Sequence, residues 1–268
     1  MDIRSALPLR TDREMPVLGL GTWQLTDDTV GPVAEALRLG YRMIDTAVDY
    51  CTQPGIGEAI RASGLGRDEI FLVTKVEENE DAYEGTVRDL RELGLGYADL
   101  MLIHRPPATG AGLALWEGLL RARDDGLTRD VGVSNYSIGQ IEALVDATGE
   151  VPAVNQIEWT PFGWSPQMLA YCRGRGIVVQ AYSPLTRAVR LDDSRLARIA
   201  AGYGKTSAQT LIRWNLQSGV VPLPKANQFT HLRENAQVFD FGISEAHLAE
   251  LNHLNEHWSS LAPALQYL

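Results

Sequence analysis

The stretch DLMLIHRPPATGAGLALWEGLLRARDDGLTRDVGVSN, residues 99–135, decides how this chain folds. An apolar run, DLMLIH (99–104), is followed by the helical pattern LALWEGLLRARDDG (113–126) and then by a second run, RDVGVSN (129–135). Runs with so little polar alternation belong to strands covered on both faces, and such strands pair in parallel across a helical crossover. The helical pattern closes on Gly126, as C-terminal capping favours.

The same unit recurs in both directions. Strand-sized runs stand at RMIDTA (42–47) and IFLVTK (70–75), and again at AVNQIEW (153–159), GIVVQAYS (176–183) and VVPLPK (220–225). AQVFDF (236–241) is a weaker eighth candidate. Helical patterns lie between them, among them VGPVAEALRLG (30–40), AYEGTVRDLRELG (82–94), IGQIEALVDATG (138–149) and SAQTLIRWNLQSG (207–219). About eight β–α units in 268 residues predict an α/β fold of the (β/α)8 TIM-barrel type. Periodicity alone leaves an open doubly wound sheet as the alternative. The preceding LPLRTDREMPVLGLGTW (7–23) predicts a β-hairpin that caps one end of the barrel. No Gly/Ser/Pro-rich linker interrupts the chain, so residues 1–268 are expected to form a single domain.

The charge balance narrows the partners. With 34 acidic and 24 basic residues the formal charge is −10, and no basic run occurs, which argues against nucleic acid or an anionic membrane. A phosphorylated ligand would therefore need a local basic site. Only three of the 24 basic residues are lysines, Lys75, Lys205 and Lys225. The two cysteines, Cys51 and Cys172, are too few for a disulfide framework. No signal-like start or membrane-length apolar run is present, so a cytoplasmic location is expected.

In a parallel barrel, functional groups sit at the C-terminal ends of the strands. Here the runs end successively in Asp45, Lys75, His104, Ser134 with Asn135, Gln156, Tyr182 with Ser183, and Lys225. Each has a bland reading alone: Asp45 and Lys75 as a structural ion pair, His104 as a core histidine, Tyr50 as a loop residue. Together they describe a polar mouth over an apolar barrel. Free tyrosine has a pKa of about 10, so a phenol that shuttles protons near neutrality needs a cation beside it. A lysine held charged by an aspartate supplies that cation, and a neutral histidine can donate a hydrogen bond to a substrate oxygen. The set suits proton delivery or removal at a carbonyl or alcohol oxygen. No metal is expected, because neither HxH, HExxH nor clustered Cys/His spacing occurs, and His247, His253 and His257 are loosely spaced. There is no GxSxG elbow, and Gly19 and Gly21 lack the third glycine of a dinucleotide fingerprint.

The motifs GLGTWQL, DTAVDY, LVTK, LIHRP, GVSNY, NQIEW, AYSPL and PLPK follow one another from about Leu18 to Asn235. In that order they resemble the aldo-keto reductase superfamily. The resemblance implies a barrel that binds an extended nicotinamide cofactor and reduces aldehydes or ketones. It implies Tyr50 as the proton donor, Lys75 paired with Asp45 to lower the Tyr50 pKa, and His104 to orient the carbonyl. It places Thr22, Ser134, Asn135 and Gln156 around the carboxamide end, Tyr182 against the nicotinamide ring, and Ser183 and Leu185 along the pyrophosphate. Lys225, Ala226, His231, Glu234 and Asn235 would hold the adenosine end, and Trp23 and Arg105 would line the substrate pocket.

Two departures stand out. Many NADPH-using relatives carry a serine after the strand-end lysine and an arginine six residues after it, whereas this chain has Ala226 and His231. Both changes weaken the grip on a 2′-phosphate. NADPH is the expected cofactor because Lys225 remains, with Asn227 or Arg233 assisting, and NADH is the second candidate. Arg105 stands where many relatives have tryptophan, and short substrate loops resemble those of compact bacterial members, which are often monomeric. The competing reading is a regulatory protein that binds the cofactor with little turnover. The intact set of Tyr50, Lys75, Asp45 and His104 argues for catalysis on a small-molecule carbonyl substrate.

Overall fold

The computed structural model describes residues 1–268. Its strands are β1 (Ala6–Pro8), β2 (Glu14–Pro16), β3 (Gly19–Gly21), β4 (Met43–Asp45), β5 (Phe71–Val76), β6 (Ala98–Ile103), β7 (Thr128–Ser134), β8 (Val154–Glu158), β9 (Val178–Tyr182) and β10 (Val221–Pro222). Its helices are α1 (Val30–Leu39), α2 (Gln53–Ala62), α3 (Ala82–Leu93), α4 (Leu113–Asp124), α5 (Ile138–Thr148), α6 (Pro166–Arg175), α7 (Ser194–Gly202), α8 (Ser207–Gln217), α9 (Phe229–Ala236) and α10 (Glu245–Asn252). Strands β3 to β10 form one eight-stranded sheet in chain order, each parallel to the next, while β1 and β2 make a separate antiparallel hairpin. This is the expected (β/α)8 architecture.

The sheet closes between its first and last strands, where the Gly21 amide donates to the Pro224 carbonyl at 3.1 Å. Glycine is required at that seam, since a Cβ on Gly21 would lie 2.8 Å from the Leu223 carbonyl oxygen. Two expectations are corrected here. The eighth barrel strand is the GLG segment of β3, not AQVFDF, whose residues close α9 and turn away from it. The hairpin therefore ends before Gly19, and it plugs the lower end of the barrel by burying Leu9 and Met15 among the interior residues.

A two-residue side-chain period sorts the barrel strands into inner and outer faces. Met43 and Asp45 share one face of β4, Phe71, Val73 and Lys75 one face of β5, and Leu100 and Leu102 one face of β6 that continues to His104. The apolar members of these rows join Val154, Val221 and Leu223 in the barrel interior. The alternate residues, such as Met101, Ile103, Val131 and Val133, pack outward with Leu115, Trp116 and Leu119 of α4. Burying each large apolar side chain is worth roughly 1.5–3 kcal/mol. The inner rows thus stack an apolar floor under a polar rim, and the strand ends set the height of that rim.

Helix boundaries follow local signals. Asp81 caps α3 by accepting from the Tyr83 and Glu84 amides, while Ser137 and Thr206 form capping boxes with Gln140 and Gln209. Glycines terminate several helices as the sequence implies, for example Gly94 after α3 in a left-handed conformation with φ 63°. Both cysteines are free thiols. No helix is long and apolar enough to cross a membrane.

Candidate active site

The rim residues converge on one cavity of about 940 Å³ at the C-terminal ends of the strands. Every residue assigned above to the site borders it, with the exceptions of Lys75 and Arg233. Lys75 lies beneath, only 1% exposed, with its Nζ 2.9 and 3.0 Å from the two Asp45 carboxylate oxygens and 2.8 Å from the Thr46 carbonyl. Gln156 Nε2 donates to Asp45 Oδ2 at 2.8 Å and to Gln180 Oε1 at 2.9 Å, so the carboxylate receives two donors. Such a fully partnered ion pair survives burial, whereas either charge alone would not.

Tyr50 is placed by the turn that follows β4. A short 3-10 segment (Val48–Tyr50) swings the ring back over the strand ends. Hydroxyls lock that turn: Thr22 donates to the Asp45 carbonyl at 2.8 Å, and Thr52 lies 3.2 Å from Thr22 and 2.9 Å from Thr46. The hydroxyl of Thr22 is thereby engaged with protein, and it serves the site by positioning this turn. The Lys75 ammonium lies 5.1 Å from the centre of the Tyr50 ring, and the His104 ring meets Tyr50 edge-on at 5.8 Å.

The electrostatics differ from the sequence expectation at one point. Lys75 was expected to draw the Tyr50 pKa down. Burial first, and then the charges of Asp45 and Asp49, push the Tyr50 phenol well above its ordinary range, and Arg105 opposes them only in part. The physical reason is that Asp45 already neutralises Lys75, so the pair presents little net positive charge to the phenol. The phenol therefore rests protonated.

Ser134, Asn135, Gln156 and Tyr182 form a continuous network. Ser134 donates to the Gln156 carbonyl at 2.8 Å, Asn135 Nδ2 donates to the His104 carbonyl at 3.2 Å, and the Tyr182 hydroxyl donates to Asn135 Oδ1 at 2.7 Å. Asn135 and Ser183 hold positive φ values of 64° and 47°, the kind of backbone strain that clusters at functional sites.

The other end of the cavity is built differently. Lys225 is half-buried, forms no ion pair within the chain, and burial pulls its ammonium below the usual range. Ala226 is buried against the core, His231 is exposed at the rim, and Asn235 is buried. Arg233 does not join the cavity: its guanidinium faces Glu35 at 4.0 Å.

Several residues at or behind the cavity wall escaped sequence reasoning. Glu77 Oε1 lies 2.7 Å from His104 Nδ1, and Arg105 bridges Asp49 and Glu77 at 3.4 Å each. Burial would push Glu77 up, but the hydrogen bond from His104 and the charges of His104 and Arg105 outweigh it and hold the carboxyl below its usual range. Asp49, Glu77 and His104 bring ligand atoms within 4.8 Å of one another, a cluster that the motif search had not anticipated. The Arg105 guanidinium already supplies the positive charge that a cation would bring there. Arg187 stacks over Trp23 at 4.4 Å, within a run of three positive-φ residues, Thr186 to Ala188. At the far wall, Glu158 accepts from Ser259 Oγ at 2.5 Å and from the Ser260 amide at 2.8 Å. That anchor holds the C-terminal segment so that Leu261 and Gln266 border the cavity.

Residues 17–256 match the profile of the Aldo/keto reductase family. The chain belongs to that family. Among its relatives, an aldo-keto reductase of Mycobacterium marinum is 38% identical over 257 residues, covering 94% of this chain and 92% of the relative. The methylglyoxal reductase DkgA of Yersinia pestis is 36% identical over 261 residues, covering 95% and 94%. A Bombyx mori aldo-keto reductase solved in complex with NADP is 32% identical and superposes with a TM-score of 0.89, covering 97% of this chain and 95% of that one. This aldo/keto reductase thus shares with its relatives the barrel and nearly the whole length.

Proposed function

We propose that this aldo/keto reductase reduces small aldehydes and ketones to alcohols with a nicotinamide cofactor, Tyr50 delivering the proton. The observation that carries this reading is the convergence of Tyr50, His104 and the Lys75–Asp45 pair on one side of a single cavity. The cavity fits such a cofactor in two respects. It is long enough to run from these groups to Lys225, and Lys225 offers a half-buried ammonium without an acidic partner, which a phosphate would satisfy. The relatives solved with NADP and NADPH support the same assignment.

When bound, the reduced nicotinamide supplies a hydride to the carbonyl carbon. The carbonyl oxygen then needs a proton, and the protonated Tyr50 phenol gives it, leaving an alcohol and a phenolate. Lys75 lies close enough to stabilise that phenolate as it forms, and Asp45 keeps the ammonium charged for the purpose. The raised resting pKa of Tyr50 is consistent with this order: the phenol stays a donor until negative charge develops on it. His104 orients the carbonyl oxygen toward Tyr50. Ser134, Asn135 and Gln156 would hold the carboxamide and Tyr182 the ring face, while Ser183 and Leu185 border the pyrophosphate path. Trp23 and Arg105 line the substrate side, an apolar face beside a charged one.

At the adenosine end we assign Lys225, Ala226, His231, Glu234 and Asn235, with NADPH preferred and NADH accepted. Lys225 is the only ammonium among these to meet a 2′-phosphate, His231 being a weaker cation. Because all these groups come from one chain, a monomer suffices as the catalytic unit. The test is a titration with NADPH and NADH followed by oxidation assays over a panel of aldehydes, α-dicarbonyls and ketones. Failure of both nucleotides to bind would sink the reading.

A further inference from the structure

Glu77 touches His104 yet has no part in the chemistry assigned above. Its Oε1 stands 2.7 Å from His104 Nδ1 across 27 residues of chain. An ionised carboxylate only accepts hydrogen bonds, so Nδ1 must carry the hydrogen. A neutral imidazole owns a single N–H. With that hydrogen on Nδ1, the other nitrogen keeps a lone pair and cannot donate to a carbonyl oxygen. Only the imidazolium carries hydrogen on both nitrogens.

We propose that Glu77 is a positioning residue that sets the tautomer of His104 and thereby makes its imidazolium the form that orients a carbonyl. Neutral His104 then presents Nε2 as an acceptor, suited to the hydroxyl of an alcohol. The inference deepens the reading of His104 as the substrate-orienting group and rests on it. It couples the direction of the reaction to the protonation of the His104–Glu77 pair, whereas a histidine without such an acceptor could donate through Nε2 while neutral.

The surroundings fit a doubly donating ring. Asp49 Oδ1 lies 3.8 Å from Nδ1, Tyr50 meets the ring edge-on, and Arg105 reaches Asp49, Glu77 and Glu78. The Lys75–Asp45 pair, 5.1 Å from the centre of the Tyr50 ring, is internally neutralised. The ring therefore faces two carboxylates, Asp49 and Glu77, which the Arg105 guanidinium bridges. Its neighbour Arg105 ties Glu77 in place without competing for Nδ1.

Two measurements test this. Long-range proton–nitrogen NMR spectra of the free protein report which ring nitrogen of His104 bears hydrogen, independently of turnover. The neutral ring is expected as the Nδ1–H tautomer, and Glu77→Gln, whose amide can donate to Nδ1, is expected to shift it toward Nε2–H. In the pH profile of carbonyl reduction, the alkaline decline seen with Glu77 should flatten in Glu77→Gln. At neutral pH the neutral ring of the variant still donates through Nε2, so kcat/KM should fall by less than about tenfold, the difference between a charged and a neutral donor. An Nε2–H tautomer in the unmodified protein, or an alkaline decline that Glu77→Gln leaves in place, overturns the proposal. The two readings fail separately: a protein that turns over no carbonyl sinks the reductase reading, while the tautomer is decided in the free protein.

Discussion

The two ends of the cavity are built on opposite principles. At the Tyr50 end the groups around the phenol are partnered within the chain: Lys75 has Asp45 and the Thr46 carbonyl, Asp45 has Gln156, and Asn135 has Tyr182. At the Lys225 end the one cation stands without an acidic partner, and its neighbours are a buried methyl group and an exposed imidazole. The first end is organised before anything binds, which is what catalysis by positioned charge requires. The second gains its order from the ligand. On the proposed reading, the groups for proton transfer are fixed tightly by the fold, while the group that would meet a cofactor phosphate is fixed loosely.

The comparison breaks first at Tyr50. Tyr50→Phe removes one hydroxyl and should lower carbonyl reduction by about 10²–10⁴-fold. NADPH binding, followed by quenching of tryptophan fluorescence, should stay within a few fold, because the Lys225 end is untouched. Full activity in that variant would remove Tyr50 as proton donor. Next comes the pair beneath it. Asp45→Asn leaves the buried Lys75 ammonium with only the Thr46 carbonyl and the amide oxygen, and breaking such a pair costs about 3–5 kcal/mol. A chemical denaturation curve that shifts by less than about 1 kcal/mol would show that the pair is not the organised element described here.

How legible these ends were in the sequence follows from the same contrast. The Tyr50 end announces itself because a parallel strand delivers its last inward residue to the mouth, so Asp45, Lys75, His104 and Gln156 recur at corresponding strand ends. β3 was missed because a strand of Gly19, Leu20 and Gly21 offers almost no apolar run. Its glycines are there for close approach: a Cβ on Gly19 would sit 2.7 Å from Leu223 Cδ2. AQVFDF misled for the converse reason, since Val238 is fully buried against helices rather than within a sheet. The roles of Glu77 and of the Glu158 anchor leave no local signal, as each meets its partner only through the closed fold, 27 and more than a hundred residues away. The direction of the Tyr50 pKa was also beyond the sequence, because it depends first on how deeply the closed fold buries the phenol and then on the nearby charges of Asp45 and Asp49.

The Lys225 end yields smaller effects. Lys225→Met should weaken NADPH about ten- to a hundredfold, the range of a hydrogen bond to a charged group at about 1.5–3 kcal/mol, and should change NADH far less. The same contact predicts a pH dependence. Burial lowers the Lys225 pKa, and only its protonated form attracts a phosphate, so NADPH affinity should fall as pH rises through that lowered value. Calorimetric titration at increasing pH, with Lys225→Met as control, separates this from changes elsewhere. An affinity for NADPH that is flat with pH and indifferent to Lys225 would move the phosphate to another part of the cavity.

The smallest effect tests whether the loose end can be tightened. His231 is exposed at the rim, and its imidazole is a weak cation near neutrality. His231→Arg adds a permanent guanidinium that can grip a phosphate through two hydrogen bonds. At an exposed position a new charge pair is worth about 0.2–1 kcal/mol, so NADPH should tighten by no more than about fivefold while NADH stays unchanged. The gain should shrink as salt is raised, because screening acts most strongly on exposed pairs. A ratio of NADPH to NADH affinity that does not move at low salt would mean that His231 lies away from the 2′-phosphate. The looseness of this end would then reside in Ala226, where a buried methyl group replaces a hydroxyl that could reach the same phosphate.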